Sequence, residues 1–458
     1  MRKLTFTKNN IFDYKILVKG SFFFFFLIFI SFISWNYIGC LFFIFGYYLF
    51  KHLNDSINLN FGAYVFKTTI LISSWEIGVL FWMLNIDKGL SALIAHLIMT
   101  LTFFIFYFYL ARKNKRIRLI LFIPLWLGYE YFQNIVNFSF PWLIIGNVFS
   151  NQTSIIQWYE YIGVLGGSFW FLLSSYLIFL TLNDKSTLKI ITLVSVFVLP
   201  IIFSFFILIN RKENNFNEIK KVITFNPEFK KEKLSNKELS FYLYSELKKH
   251  QNIHLFIAPE YTFRGLNEDN FKKSLTVNFF KKLFNETNLK DIYIGSSLSK
   301  SKTKTEKSYI TNGSIFLTRE KSYFKIKKKL VPFNEYTPHF FSSIIKKRSF
   351  KYDVEDSESD LIKDEKIIPL ICYEAFFPFF VSKKNIDAKM IYLISSEKFL
   401  KSSTFGRKQY DNIIKLRCIE NRLPMIKSSS YGNSYLINSY GEVKQKSRKE
   451  FNTFYIKI

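Results

Sequence analysis

Three short segments in the second half of this chain carry side chains that suit one chemistry when taken together. Ile257-Ala258-Pro259-Glu260 ends an apolar run in a carboxylate, and Ile371-Cys372-Tyr373-Glu374 places a thiol after another apolar run. Between them, Lys327-Lys328-Lys329-Leu330-Val331-Pro332-Phe333-Asn334-Glu335 supplies ammonium groups and a second carboxylate. A thiol with a pKa of about 8.5 is mostly protonated at neutral pH, so a nucleophilic cysteine needs a nearby cation and a basic carboxylate to make and hold its thiolate. Each residue also has an ordinary reading. A cysteine after a strand is often a small core hydrophobe, a glutamate after proline opens a helix, and one lysine among several is solvated surface.

For these groups to meet, the elements carrying them must share an edge. Apolar stretches at Lys221–Phe225, Leu255–Ala258, Asp291–Gly295, Ile367–Cys372 and Met390–Ile394 predict strands, separated by Lys-rich helices such as Ser235–His250. Strands alternating with helices predict an α/β layer fold over residues 219–458, and such folds place ligand groups at the carboxyl ends of their strands.

Residues 1–210 read differently. Of the 458 residues 49% are hydrophobic and 56 are Phe, and the longest apolar runs fall in this half. Runs such as Ser21–Phe32 and Leu93–Leu110 predict membrane-spanning helices rather than soluble ones. About seven spans are expected: Ser21–Ser34, Tyr37–Phe50, Thr68–Ile86, Leu90–Leu110, Ile117–Tyr131, Tyr161–Leu182 and Leu188–Ile209. The first two read as a tight hairpin joined at Trp35-Asn36, with a single kinked span as the alternative. Basic residues Arg2, Lys3, Lys8, Lys15 and Lys19 place the N-terminus inside, and seven crossings keep the basic loop Ala111–Arg118 inside as well. Residues after Ile209 then emerge on the outer side. The first apolar run lacks a small-residue cleavage site and is read as a retained span.

The formal net charge of +28 does not mark a nucleic-acid binder, because the lysines are spread without a binding motif and suit an anionic lipid surface equally well. Three cysteines, Cys40, Cys372 and Cys418, form no disulfide framework and no CxxC pair. His250 and His254 stand at i, i+4 but lack the flanking glutamate of a zinc helix, so no metal is expected. Walker, G-x-G-x-x-G and G-x-S-x-G words are absent.

The order of the three segments and their surrounding words resemble the nitrilase (carbon–nitrogen hydrolase) superfamily, with its Glu–Lys–Cys triad. The word K-x-x-L-V-P-F-x-E selects Lys327 over Lys325, Lys328 and Lys329, and marks Glu335 as the second carboxylate near the cysteine. A nitrilase-like domain behind a multi-span half resembles the apolipoprotein N-acyltransferase family. That likeness extends to Glu130, Phe140-Pro141-Trp142-Leu143, Gly146-Asn147 and Gly163-Val164-Leu165-Gly166-Gly167, similar to the family's re-entrant segment and next helix. It also extends to Arg417–Pro424 and Gly432–Gly441, with Leu423 where the family has an arginine.

The resemblance implies a multi-span α-helical membrane domain (1–210) followed by an α/β nitrilase-like αββα sandwich (219–458) on the periplasmic side of a bacterial inner membrane. It implies a two-step acyl transfer. Cys372 takes an acyl chain from a phospholipid as a thioester, with Glu260 as general base and Lys327 beside the oxyanion. The N-terminal amine of a diacylglyceryl-cysteine lipoprotein then accepts the chain. Glu335 and Glu374 would orient Lys327 and Cys372, and the Tyr373 N–H is a candidate oxyanion donor. No cofactor, metal or nucleic acid is implied. A membrane-tethered amidase and an inactive scaffold are the alternatives.

Two departures stand out. Leu393–Phe399 reads LISSEKF where the family has an Asn-Asp-x-Trp-Phe word, so Ser395, Ser396 and Lys398 replace Asn, Asp and Trp. The chain also ends at Phe451–Ile458 without an apolar span, implying an anchor on one side only. The segment His339–Ile345 and the loop to Asp360 are read as a lid.

Overall fold

The computed structural model describes residues 8–457 except 87–88, 114–116, 137–138, 212–218, 230–233, 301–308, 333, 336–355, 383–386 and 401–402. Most of the expected lid falls outside the described residues.

Helices form at each of the seven apolar stretches: α1 (Lys8–Asn36), α2 (Phe42–Asp55), α3 (Phe61–Leu80), α4 (Gly89–Lys113), α5 (Arg118–Ile135), α6 (Tyr159–Asn183) and α7 (Thr187–Ile209). The first two are separate helices, with a short 3-10 turn between them. Four segments are long and apolar enough to cross a membrane: Phe61–Asn85, Gly89–Arg112, Tyr159–Asn183 and Thr187–Ile209. Large apolar side chains are exposed on them, among them Phe66, Ile98, Phe106, Leu199 and Phe206, as on lipid-facing surfaces, while Phe61–Asn85 and Tyr159–Asn183 also bury others such as Trp75 and Phe171.

Between α5 and α6 the chain turns back in short 3-10 turns, Pro141–Leu143 and Ile145–Asn151, whose residues are almost all buried. Irregular backbone at this depth needs internal partners. Glu130 on α5 accepts from the Ile145 N–H (2.8 Å) and the Trp126 indole (3.0 Å), and Asn147 donates to the Pro141 and Trp142 carbonyls.

The second half is a two-sheet sandwich. The first sheet has the order β11-β1-β2-β3-β4-β5, from β1 (Ile219–Phe225), β2 (Leu255–Asn267), β3 (Asp291–Lys300), β4 (Tyr309–Leu317), β5 (Ser322–Ile326) and β11 (Phe451–Lys457). The second has the order β10-β9-β8-β7-β6, from β6 (Ile367–Ile371), β7 (Met390–Ser396), β8 (Met425–Ser430), β9 (Ser434–Ile437) and β10 (Val443–Ser447). One core fills the space between the sheets, with Val222, Ile257, Tyr293, Ile371, Ile394 and Ile426 in it. Helices α8 (Asn236–Lys248) and α9 (Leu275–Glu286) cover the first sheet. Ser235 caps α8 in a capping box with Glu238, so the helix starts one residue inside its predicted start. The short helices α10 (Glu358–Glu365) and α11 (Pro378–Ser382), and the longer α12 (Thr404–Asn421), complete the domain.

The outer layer of the second sheet is not exposed to water. Residues of α12 and of the Cys372–Phe376 turn share one buried cluster with α1–α6, so the sandwich packs directly on the helical half. Gln409 of α12 ties the two together. Its carbonyl accepts from the Trp82 and Trp142 indoles (3.1 and 3.0 Å), and its amide donates to the Val79 carbonyl and Asn36. Trp142 stacks on Phe376 with ring centroids 4.6 Å apart, and Glu420 accepts from the Val164 N–H at 2.8 Å, beside Gly163 at φ +64°.

Candidate active site

Cys372 follows β6 at φ +49°, and Tyr261 follows Glu260 at φ +60°. A non-glycine residue in the left-handed region is strained and persists only where its surroundings over-determine it. The kink at Tyr261 falls where the β2–β3 register shifts, between Ala258 and Phe263, and the kink at Cys372 falls just past the end of β6. Gly295 on β3 admits the Glu260 backbone, since a Cβ there would stand 2.5 Å from the Glu260 Cα. Glu374 holds the cysteine turn from behind, accepting from the Ile371 N–H (2.9 Å) and the Lys328 N–H (2.8 Å).

Lys327 sits just past β5 and is buried, with Nζ 2.9 Å from Glu260 Oε1 and 2.9 Å from Glu335. The Asn312 amide donates to the same two carboxylates, at 2.7 Å to Glu260 and 2.8 Å to Glu335. Glu335 is further held by the Val331 N–H (2.9 Å) and the Tyr261 hydroxyl (3.3 Å), and the Ser396 N–H donates to Glu260 Oε2 at 3.1 Å. The structure thus brings Glu260, Lys327, Glu335 and Cys372 together, with Tyr373 adjacent. Glu374 touches the cysteine turn and Lys325, not Lys327.

Electrostatics follow from this burial. Burial pushes the Cys372 thiol well above the ordinary thiol range; Glu260 adds to the effect and Lys327 opposes it. The expectation of a standing thiolate therefore gives way to a thiol held toward its neutral form, because burial first, and then the carboxylates Glu260 and Glu335, outweigh the one ammonium of Lys327. Burial alone would lower Lys327, but Glu260 and Glu335 more than reverse it, so it stays charged. Burial alone would raise Glu335, and Lys327 holds it below the usual carboxylate range.

A cavity of about 440 Å³ opens onto the cluster. Glu260, Lys327, Glu335, Cys372, Tyr373 and Ser396 line one end. Gly89, Ala92, Ala95, His96 and Met99, one face of α4, line another part with Met83, Ile86, Phe140 and Trp142. No metal-binding group of His, Cys, Asp or Glu occurs among the described residues.

Asn312 was not singled out in the sequence. Its signal was slight: a polar Asn-Gly pair within the apolar stretch Tyr309–Leu317, where a Cβ on Gly313 would stand 2.5 Å from the Lys325 carbonyl. The other departures resolve locally. Ser396 ends β7 and supplies a backbone donor, Lys398 lines the cavity, and Phe451–Lys457 pairs antiparallel with β1.

Residues 26–177 match the family model of the apolipoprotein N-acyltransferase N-terminal domain, and residues 222–457 match that of the carbon-nitrogen hydrolases. The chain is similar to the apolipoprotein N-acyltransferase of Rickettsia prowazekii (strain Madrid E), 27% identical over 359 residues that cover 76% of this chain and 70% of that protein. It is 27% identical to the one from Rickettsia bellii (strain RML369-C) over 369 residues, covering 78% of this chain and 72% of that protein. The Chlorobaculum tepidum protein of the same name is 24% identical over 365 residues, covering 72% and 68%. With the hydrolase model matched over more than half its length, behind the membrane domain of the acyltransferases, the chain belongs to the carbon-nitrogen hydrolase family, in its apolipoprotein N-acyltransferase branch.

Proposed function

We propose that this protein transfers an acyl chain from a membrane phospholipid, through a thioester on Cys372, to the N-terminal amine of a diacylglyceryl-cysteine lipoprotein. The observation that carries the reading is the cavity. It joins a buried thiol, a carboxylate and a cation to an α4 wall in which Gly89, Ala92, Ala95 and Met99 are small or apolar, as suits a substrate arriving from the bilayer. An amidase acting on small soluble amides has no use for that wall.

In the first step Cys372 Sγ bonds to the ester carbonyl carbon while Glu260 accepts the thiol proton. Removing the proton during attack suits a thiol held neutral at rest. Lys327 and the Tyr373 N–H face the oxyanion of the tetrahedral intermediate. Collapse breaks the ester C–O bond, and the lysophospholipid oxygen leaves with the proton from Glu260. In the second step the lipoprotein amine attacks the thioester, Glu260 takes one of its protons, and the proton returns to the departing Cys372 sulfur as the amide forms. Asn312 and Lys327 keep Glu260 and Glu335 fixed through both steps. On this reading the sandwich lies on the periplasmic face of a bacterial inner membrane, a location that the basic N-terminal residues and the seven apolar helices support.

Intact-mass measurement of the purified chain after incubation with phospholipid tests the reading. The expected result is a gain of one acyl chain mapped to Cys372 and discharged by a diacylglyceryl-cysteine peptide. No acyl mass on the wild-type chain overturns it.

A further inference from the structure

The turn after β7, Glu397–Leu400, carries a cation with no partner in the catalytic cluster. The Lys398 side chain is exposed, lines the cavity, and pairs with no carboxylate among the described residues. Its ammonium lies 5.6 Å from the centroid of the Tyr431 ring, which gives it a face to rest on without neutralising it. The two lysines nearest to it in chemistry are spoken for: Lys327 by two carboxylates and Lys427 by Glu397 and Asp411.

The backbone beneath Lys398 is pinned. Its neighbour Glu397 is fully buried, paired with Lys427 and accepting from the Ser429 hydroxyl at 2.7 Å. Gly432 packs so closely on Glu397 that a Cβ would stand 2.2 Å from Oε1, and Tyr431 beside it is held at φ +62°. On the other side of Lys398's turn, the Ser396 N–H is bonded to Glu260. Strain and a buried ion pair therefore pin the backbone on which Lys398 stands relative to Glu260, which a merely solubilising lysine does not need.

An ammonium that lines this largely apolar cavity from a pinned backbone, with no carboxylate partner among the described residues, selects an anion. Of the two substrates under the proposed function, only the donor carries one next to its reacting group: the phosphodiester is joined to the ester through the glycerol carbons. The diacylglyceryl-cysteine acceptor has no phosphate. We propose that Lys398 binds the phosphodiester of the acyl donor and so sets the preference for phospholipid over neutral glycerolipid in the first half-reaction. This inference rests on the proposed function for the identity of the donor.

The test compares wild type, Lys398→Gln and Lys398→Arg in detergent micelles, reading single-turnover acylation of Cys372 by intact mass with phosphatidylethanolamine, phosphatidylglycerol or diacylglycerol. In K398Q the phospholipid concentration for half-maximal acylation is expected to rise about tenfold, the worth of one lost charge-assisted contact, with the limiting rate kept. The phospholipid-to-diacylglycerol preference falls by the same factor, and K398R retains it. An equal loss with all three donors, or no loss, overturns the contact. Added inorganic phosphate is expected not to compete; competition at the same site overturns the assignment to lipid. Phospholipid retention by Cys372→Ala, read by native mass spectrometry, separates this inference from the function it rests on. Retention that falls about tenfold in C372A/K398Q upholds the contact even if wild type never gains an acyl mass, and equal retention overturns it.

Discussion

Lys325 and Lys327 stand on one face of the same strand end, both about 1% exposed, and each is held by two carboxylates. Lys325 pairs with Glu374 at 2.8 Å and Glu358 at 3.0 Å, and Lys327 with Glu260 and Glu335 at 2.9 Å. Burial would lower both lysines and their carboxylates raise both. By charge, geometry and depth the two clusters are near-duplicates. What separates them is access: Lys327, Glu260 and Glu335 line the cavity with Cys372, whereas Lys325, Glu358 and Glu374 do not. A buried ion cluster is thus weak evidence of catalysis until a reacting atom can reach it. The closed cluster has another task, since Glu374 also holds the Ile371 N–H and so fixes the cysteine turn.

Substitutions can break this comparison, beginning with Cys372, the proposed nucleophile that both clusters adjoin. Cys372→Ala is expected to abolish acyl transfer, a loss of about 10⁴-fold or more, with unchanged thermal unfolding. Cys418→Ala, inside α12, keeps transfer; a C372A chain that still turns over removes the thioester mechanism. Lys327→Met in the open cluster should lower the acylation rate about 10³-fold, as loss of an oxyanion partner does, read by the same mass assay. Lys325→Met in the closed cluster leaves the buried Glu374 without its cation and Glu358 with Lys328 alone, and should cost about 3–5 kcal/mol of stability, read as a large drop in melting temperature. The rate per folded molecule then falls far less than in K327M, and equal rate losses would erase the distinction.

Asn312→Ala removes the amide bridging Glu260 and Glu335 and is expected to slow acylation about 10–100-fold, with the loss in the limiting rate rather than in donor affinity. The smallest effect is the most diagnostic of the resting thiol. With Cys372 pushed up by burial, the acylation rate should stay flat between about pH 7 and 9, where an ordinary thiol would give a rise. The acid side has the opposite sign. Glu335 is held below its unfolded value by Lys327, so its contribution to stability is present above the usual carboxylate range and is lost as pH falls through its lowered folded value. Melting temperatures across acidic pH, wild type against Glu335→Gln, measure that loss.

The seven helices and the strands ending in Glu260 and Cys372 were legible in the sequence, because apolar runs longer than a soluble core tolerates and short apolar runs before a reactive residue are local signals. The choice of Lys327 over Lys325 was legible too, but only as a word, L-V-P-F-x-E, since both lysines alternate onto the same face. Strands β4, β5 and β8–β11 gave little warning: polar residues such as Lys325, Lys427 and Ser428–Ser430 are buried there through partners that come from distant parts of the chain.

Local periodicity therefore determined that this protein has a lipid-side helical half, a layered α/β half, and a thiol at the end of a strand. Tertiary structure alone decided that Asn312 bridges the two carboxylates, that burial raises the Cys372 thiol, and that Lys398 lines the cavity that Lys325 does not reach. The reason is physical. Burial and charge compensation depend on which groups the fold brings within about 3 Å of one another, and residues 136 positions apart, as Glu260 and Ser396 are, carry no mark of that meeting in their local sequence.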